Sequence, residues 1–466
     1  MALIPQTTVH RVVMHTIVIL FGIGAWVAIN GVFVELPILV DKLPEGWSLP
    51  SFMVLLTQAA NVGPLVVALM QAFAPRHYHQ NALIYIMLVL GTLSCFLLIF
   101  VWDITTVVAG NEHSIAFFAL FLVLAFVDCT SSVTFMPFMT RFQSVFLTTY
   151  FIGEGLSGFV PSIFALIQGA SEAYCKNESF VNTTTNETTY HIVTHYYDPR
   201  FSAEVFFGFL CVMMICCSAA FIMLNHLRIA KSFMQVEDQD SHDHGETDVH
   251  KSTSTELSTL DPDNGTEFYT RGKEQTLDDI TSQTLPSSKR KLSYQQYAYF
   301  YLMVLWISGI SNGVMPSVIS YSSLPYGQLP YHFAATLGAM ANPVACFIAL
   351  FLPVTSELII AVFVTITTGF ASYLMLLAVE SPCPILVDTD GGAILMVISQ
   401  IMFVFTTSYA KVSIGQILRE RGHPKSLVWY GAFTQLGSLI GALIMFPLVN
   451  IYYLFTPGDQ CTTVCG

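Results

Sequence analysis

Charge is what this 466-residue chain has little of: Asp, Glu, Lys and Arg together make up 11% of it, while 54% is hydrophobic. A water-soluble domain carries roughly a quarter charged residues. No soluble core of this size could hide so much apolar surface, so the solvent is a bilayer. The chain also lacks a phosphate-cradling glycine loop, a metal-ligand cluster and a nucleophile elbow, which excludes an enzyme and an ATP-driven pump. Nothing calls for a cofactor, a metal or a nucleic acid. No cleavable leader is evident, and the first span is expected to act as its own insertion signal.

What is present is apolar length. Eleven stretches of about 20 residues or more can cross a bilayer. They run over 13–36, 49–73, 80–102, 114–138, 145–169, 202–227, 297–322, 331–353, 357–379, 392–416 and 426–454. Lys and Arg set their direction. With the N-terminus cytoplasmic, the outside receives only Lys42, Lys176 and Arg200, Lys411 lies within a span, and the other 14 basic residues fall inside. An odd number of spans then puts the C-terminus outside.

Loop 170–201, on the outer side, carries sequons at Asn177, Asn182 and Asn186 and is expected to be glycosylated. Cys175, Cys383, Cys461 and Cys465 also fall outside, where an oxidising compartment predicts two disulfides with three pairings open. The six other cysteines lie in spans and read as small apolar fillers. Residues 231–291 hold 13 acidic and 7 basic residues among many Ser and Thr, the composition of a disordered cytoplasmic linker. Its sequon at Asn264 should stay bare. The domains expected are a six-helix half at 1–228, the linker at 229–296 and a five-helix half at 297–466.

The two halves echo each other. Asn30-Gly31 returns as Asn312-Gly313, 282 positions on, and Ala60-Asn61 with Pro64 returns as Ala341-Asn342-Pro343. More loosely, Gly155-Leu-Ser157-Gly158 returns as Gly437-Ser438-Leu-Ile-Gly441. An Asn inside a bilayer is costly unless it finds partners. Matched Asn residues in equivalent spans indicate a duplicated unit with parallel repeats, the plan of transporters whose site lies where the repeats meet. The fold expected is all-α and integral to the membrane, with eleven helices in a 6+5 arrangement.

Several stretches carry a resemblance. They include Trp26-Val-Ala-Ile-Asn30-Gly31 to Glu35-Leu-Pro37, Leu43-Pro-Glu45-Gly46-Trp47, Ala60-Asn61-Val-Gly63-Pro64 and Val127-Asp128-Cys129-Thr130-Ser131-Ser132. Others are Gly153-Glu154-Gly155, Asn312-Gly313-Val-Met-Pro316-Ser317, Tyr331-His332 and Ser381-Pro-Cys383-Pro384. With these the chain resembles the animal riboflavin transporter family, whose members look like distant relatives of the equilibrative nucleoside transporters. The resemblance implies riboflavin uptake across the plasma membrane by alternating access, independent of sodium and in some members favoured by external acid. A carrier of nucleosides or another flat heterocycle is the alternative. A cell-surface receptor fits less well, because it leaves the polar residues within spans unused.

Riboflavin offers a flat ring, an imide edge and a hydroxylated tail, so a site needs an aromatic face with amides or hydroxyls. Trp26 and Asn30 lie one helical turn apart. Gln58, Asn61, Thr134, Asn312, Ser317 and Tyr321 complete the expected binding set. Asp128, Glu154 and Lys411 are ionisable groups within spans, which face cavities or partners. Asp128 and Lys411, 283 apart, are expected either to pair across the cavity or to pair within their own halves. Glu35 at the outer end of the first span is a further gating candidate. His332, expected to be exposed at the outer mouth of the eighth span, would titrate in acid.

Overall fold

In a computed structural model, residues 8–234 and 292–465 are described, apart from 75, 77, 109, 170–172, 182–187, 353, 355, 424–425, 460, 462 and 464. The sequons at Asn182, Asn186 and Asn264, and residues 235–291 of the expected linker, lie outside this set.

Among the described residues, ten helices are long and apolar enough to cross a membrane. The bent pair α1 (Thr8–Ile23) and α2 (Val27–Val34) makes an eleventh if counted as one span. The short α3 (Leu36–Lys42) precedes the second span, which is built of α4 (Leu49–Ala60) and α5 (Val62–Phe73). Then come α6 (Gln80–Val101), α7 (Ile115–Met139), α8 (Ser144–Gln168), α9 (Ala203–His226) and the short α10 (Arg228–Ser232). After the linker follow α11 (Tyr294–Ser308), α12 (Met315–Ser323), α13 (Gln328–Phe351), α14 (Glu357–Val379), α15 (Asp390–Arg421) and α16 (Ser426–Asn450). The all-α expectation misses two antiparallel hairpins: β1 (Thr106–Val108) with β2 (Asn111–His113), and β3 (Ala173–Val181) with β4 (Thr188–Tyr196).

The first span is broken, not merely bent. α1 and α2 meet at 57° across Gly24-Ala25-Trp26, which frees backbone groups that a membrane cannot hydrate. Neighbouring α7 satisfies them. Asp128 Oδ2 accepts from the Ile29 N–H at 2.9 Å, capping the first turn of α2, and Ser131 Oγ donates to the Ala25 carbonyl at 2.9 Å. The equivalent span of the second segment is interrupted too: α11 passes into a single π-helical stretch, Gly309–Val314, before α12. Such widened turns recur at functional sites. Asn61 interrupts the second span between α4 and α5.

Helix packing relies on close approach rather than on expulsion of water, since lipid tails are as apolar as Leu. A Cβ on Gly153 of α8 would lie 2.3 Å from the Ile19 carbonyl of α1, and one on Gly441 of α16 would lie 2.4 Å from the Gly309 carbonyl. The rings of Phe21, Phe135, Phe138 and Phe221 interlock α1, α7 and α9 at centroid distances of 4.6–5.7 Å.

Both disulfides lie at the end of the bundle that holds the α3–α4 and α14–α15 connections. Cys383 pairs with Cys465, and Cys175 on β3 pairs with Cys461, joining residues 286 apart. At this same end the segment before the linker meets the one after it. Asp41 accepts from the Gln328 amide, Asn450 Nδ2 donates to Ser51 Oγ at 2.7 Å, and Trp47 meets Tyr321 edge-on at 5.8 Å. Phe52 likewise meets Phe446 at 5.2 Å.

Candidate transport site

Two side-chain amides organise the middle of the bundle. Asn30 on α2 donates through Nδ2 to Ser157 Oγ of α8 at 3.1 Å, and that hydroxyl donates on to the Glu154 carbonyl at 2.6 Å. Asn312, inside the π-helical stretch, donates through Nδ2 to Ser438 Oγ of α16 at 3.0 Å, and that hydroxyl donates on to the Thr434 carbonyl at 2.8 Å. Two spans that leave regular helix thus place an amide against a serine on the partner helix, once in each segment. Both amides keep solvent-accessible surface.

The charged groups divide into two kinds. Lys411 on α15 donates to Ser311 Oγ at 2.7 Å and to Asn312 Oδ1 at 3.3 Å. The Trp26 side chain lies near the Glu154 carboxylate. Lys411, Glu154 and Trp26 are partly accessible. Asp128 is fully buried and is occupied with the α2 backbone. The cross-cavity pairing of Asp128 with Lys411 is therefore not formed: each bonds within its own segment, and Asp128 holds a helix break. The Cys346 thiol on α13 donates to Asn342 Oδ1 at 3.7 Å.

Other expected residues lie elsewhere. Thr134 is buried and returns its hydroxyl to the Thr130 carbonyl at 3.0 Å, and Ser317 does the same to the Gly313 carbonyl at 2.7 Å. Both satisfy helix backbone rather than a cavity. Gln58 accepts from Asn61 Nδ2 at 3.2 Å, so that pair ties the break in the second span. Tyr321 belongs to the aromatic closure with Trp47 and Phe455. Glu35 is buried and accepts from Gln168 Nε2 at 2.9 Å.

His332 corrects an expectation. It is 2% exposed, packed where α13 meets α8, and its buried Nε2 has no hydrogen-bond partner among the described residues. A position one turn into a span reads as interfacial, but the neighbouring helix covers it. Asn177 is exposed on β3, as a glycan acceptor requires. The sequence reading missed Ser157 and Ser438 as amide partners, although they are 281 apart within the glycine echo. It also missed Ser311, Cys346 and the Asp41–Gln328 contact, for which no repeat signal exists.

A multi-span helical bundle whose interrupted helices gather polar groups at their breaks is the architecture of a secondary transporter. The chain belongs to solute carrier family 52, riboflavin transporter, whose family model matches residues 10–457. It is 44% identical to the zebrafish (Danio rerio) riboflavin transporter member 3-B over 97% of this chain and 99% of that protein. It is 39% identical to the human (Homo sapiens) member 3, again over 97% of this chain and 99% of that one. In fold it is similar to a D-xylose–proton symporter (TM-score 0.53, 10% identity, 95% of this chain and 90% of that one). It is likewise similar to the nucleoside transporter NupG (TM-score 0.52, 10% identity, 94% and 92%).

Proposed function

We propose that this chain carries riboflavin into cells across the plasma membrane by alternating access, without sodium, between two halves at 1–228 and 297–466. The arrangement is six helices plus five, with the N-terminus cytoplasmic, the C-terminus and both disulfides outside, and loop 170–201 glycosylated. The observation that carries the reading is the matched pair of amide–serine contacts, Asn30–Ser157 and Asn312–Ser438, in a chain of this family. A flat neutral ring with amide-like edges needs such groups, and Trp26 beside Asn30 supplies an aromatic face. With the disulfide end outside, Asp41–Gln328, Ser51–Asn450 and Trp47–Tyr321 close the outer entrance. External acid acts on this closure through Asp41.

Uptake of radiolabelled riboflavin into cells expressing the chain tests the assignment. Saturable uptake blocked by excess lumiflavin and unaffected by uridine is the expected result. Block by uridine would shift the substrate to nucleosides, and binding without accumulation would return the receptor reading.

A further inference from the structure

Asn342 sits well inside α13 (Gln328–Phe351), and its side chain is exposed. An exposed amide at that depth faces either lipid, where it stays unsatisfied, or a space within the bundle. The exposed Phe333, Val344 and Phe351 mark the lipid face of α13. At about 100° per residue these three fall within about 20° of one another, and Asn342 lies about 160–180° from each. It therefore faces inward. The flanks of that inner face are packed. On one side a Cβ at Gly338 would lie 3.7 Å from Gln400 Cγ of α15. On the other, a Cβ at Gly158 of α8 would lie 3.8 Å from the Ala339 carbonyl, and one at Gly155 would lie 3.4 Å from Pro343 Cβ. Asn342 falls between these sides and looks into the gap between α8 and α15. In height it lies between Ala339 and Pro343, the level of Ser157, which receives Asn30. The same Cβ at Gly158 would lie 3.5 Å from Asn30 Nδ2.

The amide is also unspent. Asn61, 281 positions earlier, gives its Nδ2 to Gln58 three residues back. The residue three back from Asn342 is Ala339, whose side chain cannot accept. Asn30 and Asn312 each give Nδ2 to a serine, and Asn312 Oδ1 receives Lys411. Among the described residues, Asn342 is met only by the Cys346 thiol, which donates to Oδ1 at 3.7 Å. One Oδ1 lone pair and both Nδ2 donors remain. We infer that Asn342 is a substrate-binding residue, the third amide of the transport site, and that it reads an imide edge. Nδ2 donates to a ring carbonyl while Oδ1 accepts from the adjacent N–H. The inference rests on the riboflavin reading above and names the group within it that recognises the ring edge. An amide suits that edge because both present a donor beside an acceptor without charge. Asn30 precedes the linker and Asn342 follows it, so a substrate bound to both joins the two segments.

A cycle of protein variant against substrate analogue tests this. 3-Methylriboflavin lacks the imide N–H. In wild type it should compete for uptake about fivefold more weakly than riboflavin, the loss of one hydrogen bond between neutral groups. In Asn342→Ala, normalised to surface protein, riboflavin should weaken toward its methyl analogue and the ratio should fall to about one. A merely structural role would weaken both competitors alike and keep the ratio. A preserved ratio in the variant, or no preference in a wild type that takes up riboflavin, would overturn the inference and leave the substrate assignment standing. Absence of riboflavin uptake by wild type at the surface would overturn both. Where the variant takes up too little to measure, wild type still decides. Riboflavin should slow methanethiosulfonate labelling of the partly accessible Cys346, one turn from Asn342, read at that residue by mass spectrometry; an unchanged rate would overturn the inference.

Discussion

Asn30 and Asn312 make the same hydrogen bond in two different helical contexts. One sits three residues into a half-helix that follows a 57° break, the other within a π-helical turn, yet each reaches a serine hydroxyl at 3.0–3.1 Å. The two contacts match while the backbone around them differs. The irregularities are tolerable because each is satisfied from a neighbour: Asp128 and Ser131 serve the first, and Ser438 reaches toward the Ser308 carbonyl at 3.5 Å beside the second.

Asp128 is a structural acid. Asp128→Leu strands the Ile29 N–H in a dry interior, a cost of about 1–3 kcal/mol. It should lower the melting temperature in detergent and the amount at the cell surface, with Asp128→Asn much closer to wild type. A Leu variant as stable as wild type but inactive would instead make Asp128 a transport residue.

The helix crossings tolerate no side chain. Gly441→Leu would drive a Cβ to 2.4 Å from the Gly309 carbonyl and push α16 off the π-helical turn. Overpacking of this kind costs about 1–3 kcal/mol or more. The expected result is loss of the monodisperse peak in size-exclusion chromatography. Gly369, whose Cβ would meet nothing within 4 Å, should accept Ala unchanged.

The outer closure should respond to pH through Asp41. Burial between α3 and α13 pushes its carboxyl up from 3.8 to about 7, against the opposing effects of the Gln328 hydrogen bond and nearby Lys42; the Tyr331 phenol also faces it. The closed state therefore binds the Asp41 proton more tightly than an open, hydrated one. Its stabilisation from this group is full below about 4 and is lost as pH rises through about 7. Labelling of a cysteine placed at Trp47, read from outside, should become faster between pH 5 and 8. Asp41→Asn should flatten that profile; an unchanged profile in the variant would remove Asp41 from the closure.

The disulfide pairing makes a covalent prediction. Because Cys175 bonds Cys461 across the linker, a protease site cut within residues 235–291 should leave one band without reductant and two with it. Two bands in both lanes would disprove that pairing.

The spans were legible because a bilayer imposes length and hydropathy on every crossing helix. The pairing of Cys175 with Cys461 was not legible, because four cysteines on one side allow three arrangements. Nor was the burial of His332, since covering by α8 is a tertiary fact that one helix's hydropathy does not carry. Asp128 misled as a midspan acid for a similar reason: charge within a span signals a partner, and here the partner is backbone rather than Lys411.

The most direct test is riboflavin uptake by Asn30→Ala and Asn312→Ala, each normalised to surface protein. The account predicts that both lose about tenfold or more in uptake efficiency, the equivalent of ~1.4 kcal/mol of substrate contact in each half. Wild-type uptake in both variants, at equal surface abundance, would contradict a site built on the two amides.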